Sequence, residues 1–122
     1  MSEIPIRWPS AAVETQLAAD LGAEAPTAPT AVAEAFLIPL TAYLLATHPG
    51  CDPDACATAA EDAILGLLRN PRAFDPSGLR LGAYLRTAAR LDLGNERRKE
   101  RRHHARRVIV DVGCLPDRAL VL

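Results

Sequence analysis

Apolar residues recur along this chain at spacings of three and four, in blocks divided by proline- and glycine-rich stretches. That period places one stripe of side chains on one side of a helix. The first block, "AAVETQLAADL", follows Ser10, whose hydroxyl can cap the free amides of a first turn, and it stops at Gly22. "AEAPTAPT", residues 23–30, is a proline-broken linker. Thr30 then caps a second helix to about Ala46, in which Pro39 removes a backbone donor and should force a kink or a restart.

"THPGCDP", residues 47–53, is a turn, and Asp52 with Pro53 opens a third helix as capping carboxylate and first-turn proline. That helix, "DACATAAEDAILGLLRN", is expected to bury Ala57, Ala60, Ile64, Leu67 and Leu68. After the turn "PRAFDPSG", a fourth helix starts near Leu79 and turns Leu81, Tyr84, Leu85, Ala88 and Leu91 inward. Gly94, which costs about 1 kcal/mol relative to alanine, is expected to bend or fray it. "VIVDV", residues 108–112, is the only strand-like stretch. The expected fold class is all-α, a compact bundle of about four helices. Alanine and leucine dominate while aromatics are only 4% of residues, which strengthens the helical expectation.

Charge changes the picture. The net charge is −1, yet residues 1–68 hold nine acids and a single base, Arg7, whereas residues 69–107 hold twelve bases and four acids. Such segregation points to a face for polyanions. Arg86, Arg90, Arg97 and Arg101 follow spacings of four, seven and four, so they share one narrow stripe, expected opposite the buried side. Arg98, Lys99 and Arg102 thicken it, and His103 and His104 extend it at lower pH. Acids are few among these bases, Glu96 and Glu100 among them. Guanidinium groups stay charged and donate in a fork that matches phosphate. Asn95 and Tyr84 beside the stripe add a base-edge reader and a stacking ring.

Other chemistry is weak. Three cysteines without a framework spacing imply reduced thiols and a cytoplasmic protein. His48, Cys51, Cys56 and Cys114 match no common zinc spacing, and Cys56 falls on a helix that needs small residues. Glu61 and Asp62, at a helix start, are explained by the helix dipole before acid–base work. With no phosphate loop and no nucleophile motif, neither catalysis nor a cofactor is expected. "AVAEAFLIPLTAYLLA" is too short for a bilayer and carries Glu34 and Pro39, so it reads as a buried helix. Trp8, with Ile4 to Ile6, is expected to pack as an N-terminal arm; a partner-binding segment is the alternative.

Taken together, "AAEDAILGLLRNPRAFDPSGLRLGAYLRTAARLDLGNERRKERR" resembles the second conserved region of bacterial RNA polymerase sigma factors of the extracytoplasmic-function type. The resemblance rests on the acidic pair Glu61 and Asp62, the turn Phe74 and Asp75, and then Tyr84, Leu85, Ala89 and Arg90. Asn95 and the arginines from Arg98 onward complete it, and Pro39 stands where the family has a mid-first-helix proline. It spans residues 31–107, leaving 1–30 as an arm or short helix plus linker and 108–122 as a tail. A second helix-turn-helix domain is not expected after Arg107.

The resemblance implies that the third helix docks on the clamp coiled coil of the polymerase β′ subunit, through Glu61, Asp62, Leu65, Leu68 and Arg69. It implies that the fourth binds and opens the promoter minus-ten element through Tyr84, Arg86, Arg90, Asn95, Arg97, Arg98, Lys99, Arg101 and Arg102. An anti-sigma factor would be a further partner. This chain departs from the family at Leu65 and Gly66, where a polar pair is usual, at Tyr84 in place of tryptophan, and at Leu91 in place of asparagine. Two alternatives stand beside it: a sigma-like interaction module that does not open promoters, and a nonspecific nucleic-acid binder.

Overall fold

A computed structural model describes the backbone from Ile6 to Val112 and the side chains as far as Arg102, Glu100 excepted. Four helices run in the order α1 (Ala11–Gly22), α2 (Ala28–Thr47), α3 (Pro53–Arg69) and α4 (Leu81–Val112), with one 3-10 turn at Pro71–Ala73. Among the described residues there is no strand, and the fold is an all-α bundle. "VIVDV" is the last turn of α4, a continuation of the helix that precedes it. The expected divisions at residues 30 and 107 fall inside α2 and α4. Ile4, Cys114 and the stretch 113–122 lie outside the described residues.

Local chemistry sets the ends. Ser10 Oγ accepts the Val13 amide at 3.2 Å, and Asp52 Oδ1 accepts that of Asp54 at 3.4 Å, both as expected for caps. The stop of α1 differs from expectation, because Gly22 still lies inside the helix and the left-handed residue is Glu24, at φ 56°. The Ala25 amide donates to Asp20 and the Glu24 amide to Leu21, which closes the last turn around a left-handed C′ residue. α2 starts three residues earlier than expected: Thr27 is the cap residue, without a side-chain bond, and Pro29 sits in the first turn.

Pro39 neither restarts nor ends α2. A mid-helix proline costs about 3 kcal/mol, which the burial of Val32, Phe36, Leu40 and Leu44 along one side of the helix outweighs. At 20 residues α2 is also longer than expected, and by length and composition it could cross a membrane. Here its inner row packs into the core, while Ile38 and Leu45 on the outer side are exposed.

The core joins that row to Leu17 and Leu21 of α1, to a small-residue face of α3, and to Leu81, Leu85, Ala89 and Leu93 of α4. Ala55, Ala59 and Ala63 of α3 carry only a methyl each, so α3 and α4 form the most extensive helix pair. On α3, Ala60, Ile64 and Leu67 are buried as expected, whereas Ala57 and Leu68 are only partly covered. On α4 the correction is larger. Leu91 is 65% exposed, and Tyr84 and Ala88 are half-buried. The buried residues step strictly by four, so the core row winds slowly around α4 and never reaches Leu91.

One long-range bond fixes where α4 begins. Glu14 Oε1 accepts the Gly82 amide at 2.7 Å, placing a carboxylate from α1 at the positive end of α4. A Cβ at residue 82 would sit 2.6 Å from that oxygen and 3.4 Å from the Phe36 ring, so any other residue there would push the Glu14 carboxylate off this bond.

Candidate nucleic-acid interface

The core row of α4 runs Leu81, Leu85, Ala89, Leu93, and its next two members are Arg97 and Arg101. One side of one helix thus changes from buried leucine to exposed arginine within a single turn. No residue beyond Leu93 joins the core among the described residues. The remainder of α4, from Gly94 to Val112, is about 27 Å long at 1.5 Å per residue. Gly94 does not interrupt it. Arg97, Arg98, Lys99, Arg101 and Arg102 are all exposed, so cations cover about half of its circumference over these residues. Arg97 with Arg101 and Arg98 with Arg102 are like-charged neighbours at four-residue spacing, each pair destabilising the helix by roughly 0.2–0.5 kcal/mol. A polyanion laid along the helix would relieve that repulsion.

The expected readers occupy different settings. Arg90 is exposed, with Nη2 donating to Thr87 Oγ1 at 3.5 Å, and joins the row of Arg97 and Arg101. Asn95 is exposed, its Oδ1 accepting from Arg98 Nη2 at 2.9 Å, so the pair presents an amide beside a guanidinium. Lys99 stands apart from the arginine row, in an ion pair with Glu96 at 3.4 Å. Tyr84 packs edge-on against Phe74, ring centres 5.4 Å apart, and is only half-exposed.

Arg86 does not lie opposite the core but along its border. Its guanidinium sits 4.8 Å over the Trp8 ring, and Trp8 in turn meets Tyr43 of α2 edge-on at 6.1 Å. Trp8 therefore packs as an arm, and its contact with Arg86 was not legible from spacing because 78 residues separate them. The described backbone carries the helix past His103, His104, Arg106 and Arg107, whose side chains are outside the described residues.

On α3, Glu61, Asp62, Leu65 and Arg69 share an exposed outer face, with Leu68 at its partly buried margin. This face holds an exposed leucine between an acidic pair and Arg69, a surface suited to a protein partner. Asp62 also faces Asp92 of α4, an acid overlooked in the sequence because it sits among bases. Burial, then Asp62 and Glu96, push the Asp92 carboxyl above its ordinary value, against a smaller opposing effect of Lys99. Ionised Asp92 thus costs stability in the folded state. That cost is absent below the ordinary carboxylate range, grows as pH rises through it, and is complete above the raised value. Asp92→Asn is expected to raise the melting temperature at neutral pH and to leave it unchanged in acid below the carboxylate range. Equal shifts at both would place the effect elsewhere.

Cys56 is buried and Cys51 half-buried, and burial, then Cys51 and Asp52 nearby, push the Cys56 thiol up, away from the reactive thiolate. Among the described residues no three His, Cys, Asp or Glu side chains are grouped to hold a metal ion. No family model matches the chain, and no curated protein or solved structure does either.

Proposed function

We propose that this chain is a sigma-like transcription-initiation domain that acts in the cytoplasm, holding promoter DNA along α4 and core RNA polymerase on α3. The observation that carries the proposal is the change from leucine to arginine in one helical row. The bundle fixes the base of α4 through Leu81 to Leu93, and the fixed base presents Arg97 and Arg101 at a set distance and direction. Pre-positioned guanidiniums lose less freedom on meeting phosphate than flexible ones do. The polarity of the molecule supports the same division. The acidic front half keeps its own surface off the DNA backbone, and its α3 face offers Glu61, Asp62 and Leu65 to a protein.

A second function, a module that docks on polymerase or an anti-sigma factor without opening promoters, is favoured by one observation. Tyr84, the ring assigned to stacking on an unpaired base, is already packed on Phe74. Opening requires that flipped bases gain contacts to repay lost pairing.

Reconstitution with core polymerase on a promoter labelled in the minus-ten region separates the two. The expected result is polymerase association plus a fluorescence change from strand opening, both lost in Asp62→Lys. Association without opening selects the second function. No association in the unaltered chain contradicts both.

A further inference from the structure

Arg86 differs from every other described arginine side chain of α4, being half-buried and held by an aromatic ring. Trp8 lies under its guanidinium at 4.8 Å, and Trp8 is itself wedged on Tyr43. Among the described residues Arg86 makes no hydrogen bond and no ion pair, so the ring is its one specific contact. A guanidinium stacks through its flat face and donates hydrogen bonds from its edge. The two uses do not compete. Stacking removes rotamer freedom from a long side chain while leaving the donor fork open.

We infer that Trp8 is a positioning residue for nucleic acid, a platform on which Arg86 is held as a phosphate clamp at the bundle end of the cationic row. The inference rests on the nucleic-acid reading of α4 and adds the N-terminal arm to the interface. Arg86 and Arg101 are 15 residues apart, about 22 Å along the helix, so the clamp and the projecting arginines would grip the backbone at two separated points. One is set against the bundle; the other is exposed to solvent beyond it. A strap that hid Arg86 from its ligand would need to occupy the fork, and the Trp8 ring under it has no acceptor with which to do so.

Trp8 is the only tryptophan in the chain, which makes its emission a direct report on this contact. The probe is a fluorescein-labelled DNA duplex of mixed sequence, with affinity read by anisotropy and tryptophan emission read on an unlabelled copy. Trp8→Leu keeps an apolar wedge on Tyr43 but removes the ring, and is expected to weaken binding roughly threefold. Trp8→Phe should restore most of the loss. Arg86→Ala is expected to weaken binding roughly tenfold and lower the salt slope by about one, and Trp8→Leu should then add nothing. Duplex should shift tryptophan emission in the unaltered chain and leave it unmoved in Arg86→Ala, while helical circular dichroism stays the same throughout. Tighter or unchanged binding in Trp8→Leu, or an equal loss with Arg86 absent, overturns the platform and leaves the α4 assignment standing. No duplex binding by the unaltered chain overturns both.

Discussion

Replacing Arg97, Arg98, Arg101 and Arg102 together with glutamine is expected to cut duplex affinity roughly a hundredfold or more at moderate salt. If each meets one phosphate, the slope of log affinity against log salt should fall by about 3.6. All four side chains are exposed and none touches the core, so the melting temperature should hold or rise as two like-charged pairs disappear. That combination is what separates a binding face from a structural one. A matching loss of helix or melting temperature would mean that the arginines support the fold. An unchanged salt slope would mean that phosphate is not their ligand.

The second large effect concerns the inner side of the same helix. Leu85 is fully buried, and Leu85→Ala is expected to cost about 2–5 kcal/mol from lost transfer energy and the cavity left behind. Leu91 is six positions on and 65% exposed, so Leu91→Ala should change stability by less than about 0.5 kcal/mol. Chemical denaturation of the two variants side by side measures the contrast. Comparable losses would mean that the buried face of α4 is turned toward Leu91.

That pair also shows where the sequence was readable. Leucines 81, 85 and 91 looked equivalent, and a three-four pattern through Tyr84, Ala88 and Leu91 was as regular as the true one through Leu85, Ala89 and Leu93. What decides between them is the rest of the bundle, above all α3, against which α4 packs with Leu85, Ala89 and Leu93 buried and Leu91 left outside. Periodicity within one helix cannot register a partner's shape. The caps at Ser10 and Asp52 were legible because their chemistry is local and complete within three residues. A stop at Gly22 and a restart at Pro39 do not occur, for the opposite reason. Their intrinsic preferences are strong, yet a closed turn around Glu24 and a buried row on α2 override them.

The site followed the same division. The arginine row was visible as spacing, since charge and period are properties of the chain itself. Its direction relative to the core was not, and with it went the setting of Arg86, which borders the bundle and rests on Trp8. Tyr84 was expected both on the inward side and as a stacking ring, and it is half-buried and packed on Phe74, ten residues away across a turn. Asp92 escaped notice as one acid among many bases, and only the fold brings it against Asp62.

Amide chemical shifts recorded while an unlabelled duplex is titrated into isotope-labelled protein test the assignment of α4 most directly. Binding along the cationic row predicts the largest changes from Arg86 through Arg102, fading into the buried turn of Leu81 and absent from the outer face of α3. Changes confined to α2 and α3, with α4 silent at low salt, would contradict it.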